Sequence, residues 1–124
     1  MIAHLLQVAL KANDLETSIS FYRDVLGLPM LGRFDPPGIA FFDAKGVRLM
    51  LAAEAPSGQL YFAADHLEAE CARLADLGVT FRGDPVMVHR DDAGLFGSTS
   101  VEEWMQFFDD PSGNLLAIAE RRAI

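Results

Sequence analysis

Gln7 and Gln59 stand 52 positions apart, each at the same place in an alternating apolar stretch. A primary amide both donates and accepts, so the pair suits a carbonyl, hydroxyl or amide on a bound ligand. It suits equally a bond between the two glutamines, or to water, inside a polar core. His89 and Glu103 carry groups able to move a proton, although no spacing ties one to the other. Trp104 offers a ring for stacking beside the loop that precedes it, and Phe41, Phe42, Phe107 and Phe108 supply aromatic surface of which alternation lets only some face a cavity. That loop, residues 90–102, is rich in glycine, small and charged residues. Leu95 and Phe96 between Gly94 and Gly97 make either a mobile apolar plug over a ligand or an ordinary solvated excursion. Arg33 and Arg90 can meet an anion or simply face water.

These residues sit on a repeat. Gln7, Leu15, Ile19 and Tyr22 recur as Gln59, Leu67, Cys71 and Leu74, each set running from an alternating stretch into a one-faced helix and then a glycine stop, Gly27 or Gly78. Phe41-Phe42-Asp43 recurs as Phe107-Phe108-Asp109 at an offset of 66, which sets Leu49 and Leu51 opposite Leu115 and Ala117. The larger offset locates an insertion between Phe81 and Trp104. The pattern predicts an α+β fold of two tandem βαβββ modules around one cavity, about 1–55 and 58–124, in a single domain spanning 1–124. In the first module strands are expected at Leu5–Leu10, Met30–Phe34, Ile39–Asp43 and Val47–Ala53. The second is expected to use Leu60–Ala64, Val79–Arg82, Val86–His89, Glu103–Asp109 and Leu115–Glu120. Asn13 with Glu16, and Asp65 with Glu68, read as helix caps.

Of the 124 residues, 51% are hydrophobic and 23% charged, enough for a real core. A net charge of −8 argues against a nucleic-acid partner, which needs a cationic surface to displace counterions. Cys71 is the only cysteine, so no disulfide closes within the chain, and its place on a helix stripe reads as core. No apolar run approaches bilayer length and no signal-peptide pattern opens the chain, so the expectation is a cytoplasmic protein without a membrane partner.

The segment Asn13-Asp14-Leu15, followed by Ser18, Phe21-Tyr22 and Leu26-Gly27-Leu28, together with the closing Asp110-Pro111-Ser112-Gly113-Asn114, resembles the vicinal oxygen chelate superfamily, which includes glyoxalase I, bleomycin-resistance proteins and extradiol dioxygenases. The resemblance implies a cup-shaped sheet in which a divalent metal chelates two substrate oxygens. It also implies where the ligands stand: Gln7 and Gln59 on the first strands, Ala117 on the last, and Leu51, or Met50 if a turn differs by one residue, as the mate of Ala117. Two neutral amides without a carboxylate or imidazole do not suit a dication, so neither metal nor cofactor is expected. His4, Glu54 and Glu120 lie an odd number of residues from these slots and are expected to face solvent. The cavity is then expected to take an aromatic or amphipathic small molecule against Gln7, Gln59, Leu51, Ala117, Trp104, Phe96 and Phe41. A glyoxalase-like lyase or isomerase using His89 or Glu103 is the alternative. The family's habit of covering sheet edges by pairing implies a homodimer.

Overall fold

The computed structural model describes residues 1–124 as two compact units. The first comprises Met1–Gly58 with Asp110–Asn114, the second Gln59–Asp109 with Leu115–Ile124.

In the first unit, β1 (Gln7–Lys11) leads into α1 (Leu15–Ser20), which continues as a π-helical turn over Phe21–Val25, and then into β2 (Met30–Phe34), β3 (Ile39–Ala44) and β4 (Val47–Ala52). The sheet order is β1-β4-β3-β2, with β1 parallel to β4 and the other pairs antiparallel. In the second unit, β5 (Gln59–Ala63), α2 (Leu67–Asp76), β6 (Val86–Asp91), β7 (Val101–Asp109) and β8 (Leu115–Ala123) pair in the order β5-β8-β7-β6. Each half is thus the βαβββ module that the repeat predicts.

Alternation decides which side chains make the core. In the first sheet Leu10, Ala40, Phe42, Leu49 and Leu51 point to one face, where Ile19 and Tyr22 meet them, and all are buried. In the second, Phe108, Leu116 and Ile118 take the same part against Leu67, Cys71 and Leu74 of α2. Burial pushes the Cys71 thiol up to about 11, as suits a small core residue. Gly78, at φ 98, turns the chain out of α2 while its N–H and that of Val79 return to Ala75 and Leu74.

Several local expectations are corrected. The first strand starts at Gln7 rather than Leu5. Val79–Arg82 is not a strand; it touches the sheet through a single bridge between Phe81 and Phe108. Asp14, not Asn13, caps α1 by accepting from the Thr17 N–H at 3.1 Å, and the Asn13 N–H goes instead to Ser112 Oγ. At α2 the Asp65 cap is replaced by a distant one. Glu120 Oε1, from β8, accepts from the Leu67 N–H at 2.5 Å, while its Oε2 accepts from Arg122 at 2.7 Å. Glu120 therefore packs toward the helix rather than into solvent.

The closing turn is a buried clasp inside the first unit. Asp110 Oδ2 accepts from the Tyr22 hydroxyl at 2.6 Å and from Asn114 Nδ2 at 2.7 Å, and Oδ1 accepts from the Ser112 and Asn114 N–H groups, both at 2.8 Å. Asn114 also donates to Lys11 O and accepts from the Gly58 N–H. Burial and the Asp110 carboxylate together push the Tyr22 phenol far above its ordinary range.

Candidate functional site

The face of each sheet turned away from its helix is open. In the second unit the residues on that face follow from pairing: Tyr61 and Ala63 on β5, Ala119 and Arg121 on β8, and Glu103, Met105 and Phe107 on β7. With Ala64, Asp65 and Val88 they line a cleft of about 820 Å³. Tyr61 and Phe107 meet edge to face, 6.2 Å between centroids, and both pair with Ala117 beneath them. Ala117 is thus on the open face yet fully buried, roofed by the two rings.

At one end the cleft carries an ion cluster. Arg121 donates from Nη1 to Glu103 Oε2 and from Nη2 to Asp91 Oδ2, both at 3.0 Å. Asp91 is 2% exposed and also accepts from the Leu95 N–H at 2.7 Å and the Phe96 N–H at 2.9 Å. The Phe96 N–H, the Arg121 guanidinium and the Leu95 N–H hold its carboxyl down to about 2. One carboxylate thereby ties the loop after β6 to the sheet. The Phe96 ring lies 5.6 Å from that of His89 and 5.9 Å from the Arg121 guanidinium.

The two proton-transfer candidates do come together, for His89 and Glu103 are cross-strand partners on β6 and β7. Neither is poised, however. Glu103 is ion-paired with Arg121, and His89 Nε2 is shut off from solvent without a hydrogen bond, its approach to Asp91 Oδ1 being 3.9 Å. Phe96, expected to plug a cavity, is instead held by its backbone to Asp91, the residue being 61% exposed. Trp104 is a correction. Sharing the parity of Glu102 and Phe108, it lies on the helix side of β7, donates to Glu102 Oε1 at 3.1 Å, and stacks under Arg122 at 4.9 Å. It does not line the cleft.

The open face of the first unit holds a smaller hollow of about 460 Å³, lined by Leu31, Gly32, Phe34, Ile39, Phe41 and Arg48. Phe41 lines this hollow rather than the larger cleft, edge to face with Phe34 at 5.7 Å. Gln7 shares this face but is already engaged: its Oε1 accepts from Arg48 Nε at 3.1 Å, and its Nε2 approaches Met50 Sδ at 3.8 Å. Gln59 is exposed on β5, with its Oε1 3.5 Å from the Tyr61 hydroxyl.

Leu51 is the second correction among the site residues, being fully buried on the helix side of β4. Asp43 pairs with Arg48 across four intervening residues, but Asp109 pairs with Leu115 across five, and this single extra residue makes Met50 the counterpart of Ala117. The first unit therefore offers Gln7 and Met50 at the slots the resemblance implies, and the second Gln59 and Ala117. An arginine on the Gln7 oxygen, a thioether and a methyl group do not fit a hard dication. No group of three or more His, Cys, Asp or Glu side chains is arranged to hold a metal ion. Arg121, Asp91 and Tyr61 went unnoticed in the sequence, although counting by twos from Gln59 reaches Tyr61.

A sequence profile of the glyoxalase/bleomycin resistance protein/dioxygenase superfamily matches residues 2–118. The chain belongs to that superfamily. Solved structures similar to this superfamily member include an integron cassette protein from the mobile metagenome of V. cholerae, 26% identical over 97% of this chain and 96% of that one, with a TM-score of 0.73. A lactoylglutathione lyase from Agrobacterium tumefaciens is 24% identical over 97% and 95%, TM-score 0.71. An antibiotic-binding protein from Streptomyces sp. CB03234 is 21% identical over 96% of each chain, TM-score 0.71. No curated protein matches the chain. As the names differ in activity, the superfamily fixes the fold and leaves function to the site. No helix is long and apolar enough to cross a membrane.

Proposed function

We propose that this superfamily member binds an aromatic or amphipathic small molecule in the cleft of its second unit, without a metal. One observation carries the reading: the cleft is walled by Tyr61, Phe107 and Met105, while its ionisable end is closed upon itself in the Arg121–Glu103–Asp91 cluster. A wall of aromatic and apolar side chains with few polar groups is what small-molecule sites require. The fold it shares with an antibiotic-binding protein is consistent with sequestration as the role.

Isothermal titration with a panel of planar aromatic compounds tests this. Tyr61→Ala and Phe107→Ala should each weaken binding by about tenfold or more, since each deletes a wall ring. Trp104→Ala should leave it unchanged. Loss of binding in Trp104→Ala alone would move the site to the other face of the sheet.

A glyoxalase-like lyase or isomerase acting on a small carbonyl compound is the second reading, favoured by the cross-strand pairing of His89 with Glu103. Turnover of such a compound that is abolished in His89→Ala would establish it.

A homodimer completes the proposal. Leu31 and Phe34 on the edge strand β2, and Val86, Met87 and Val88 on the edge strand β6, are exposed apolar side chains on open sheet edges, which a second copy would cover.

A further inference from the structure

The charge of the ligand can be read from the cleft, on the premise that the cleft is the binding site. Its lining holds three charged side chains, Asp65, Glu103 and Arg121. Arg121 is the sole cation among them, and its charge is already offset, because each of its two terminal nitrogens donates to a carboxylate, Glu103 or Asp91. The Arg121 cluster therefore contains two carboxylates to one guanidinium, and Asp65 adds a further negative charge at the rim. His89 is not among the lining residues, and its Nε2 is buried beside the Phe96 ring. An anionic ligand would meet a guanidinium whose charge two carboxylates already outweigh, with Asp65 beside them.

We infer that the cleft selects a cationic aromatic molecule: a planar ring system bearing a protonated amine. The ring would lie against Tyr61, Phe107 and Met105. The ammonium would point toward Glu103 and Asp65, where Arg121 holds only Oε2 of Glu103. Its attraction has two sources, the carboxylates and the negative faces of the Tyr61 and Phe107 rings, both acting across a cleft of low polarity. Glu103 is then the residue that sets specificity, while the aromatic wall sets affinity.

Three probes that share one ring system separate these contributions: naphthylmethylamine, naphthalenemethanol and naphthoic acid, titrated calorimetrically at neutral pH and moderate salt. The amine should bind on the order of tenfold more tightly than the alcohol, and the acid more weakly than both. Glu103→Gln, which keeps the shape and a hydrogen bond to Arg121, should bring amine and alcohol level. Asp65→Asn, at an exposed position, should narrow the gap. Tyr61→Ala should weaken all three probes together. Equal binding of the three, or a preference for the acid, would overturn the charge assignment and leave the cleft as the site. If none binds, the binding function falls, and this inference with it.

Discussion

Replacing Tyr22 by phenylalanine removes one oxygen from the clasp and nothing else. The hydroxyl donates to Asp110 at 2.6 Å, with Tyr22 fully buried and Asp110 5% exposed. A hydrogen bond to a charged group contributes about 1.5–3 kcal/mol. The carboxylate keeps the Ser112 and Asn114 N–H groups and the Asn114 amide, so the loss should stay below the roughly 3–5 kcal/mol of a stranded buried charge. We expect about 2 kcal/mol. With an unfolding entropy of about 2.1 cal/mol/K per residue over a chain of this length, that is a fall in Tm of about 8 °C. Thermal and urea melts followed by circular dichroism would measure it. A second signature follows from the raised phenol. Unfolded tyrosine ionises near pH 10, whereas Tyr22 in the folded state keeps its proton. Its contribution is therefore whole below about pH 10 and is lost as pH rises further, so the wild type should lose stability there more steeply than Tyr22→Phe. A Tm change under about 2 °C, together with identical alkaline arms, would refute the assignment of the turn as a charged clasp.

Four further outcomes are expected. The Asp91 carboxyl, held down to about 2, anchors the loop above the ordinary carboxylate range and should release it as pH falls from about 4 toward 2; hydrogen exchange at Leu95 and Phe96 would then quicken, and would be quick at neutral pH in Asp91→Asn. Ligand saturating the cleft should leave Trp104 emission nearly unchanged, since the indole lies on the other face of β7, whereas Arg122→Ala should shift it. Light scattering at micromolar concentration should return the mass of a dimer, and a monomer would dismiss the proposed pairing of edges. Added zinc or nickel should move Tm by less than about 1 °C, because a metal far below its Kd stabilises negligibly; a large rise would restore a metal-dependent reading.

The sequence made the sheet faces legible wherever two observations agreed on phase. Alternation alone said that only some of Phe41, Phe42, Phe107 and Phe108 can face a cavity, and the pairing assigns Phe41 and Phe107 to the open faces and Phe42 and Phe108 to the core. Trp104 was legible by the same rule: it lies an odd number of residues from Phe107, so it had to face the helix, and proximity to the loop was the weaker guide. Leu51 was not legible, because its phase depends on the length of a turn that differs by one residue between Asp43–Arg48 and Asp109–Leu115, and a single residue reverses every side chain beyond it. Nor could local sequence reveal that Glu120 caps a helix more than fifty residues earlier, or that Asp110 reaches Tyr22. The ion cluster belongs to the same class. Asp91, Glu103 and Arg121 sit on three successive strands and become neighbours only through register, and the charges that decide what the cleft accepts are set by pairing rather than by any motif. Asp91 joins the two levels. Its place at the end of β6 fixes both the loop above and the guanidinium beside it, so a change at this one residue should alter loop mobility and the cleft's charge together.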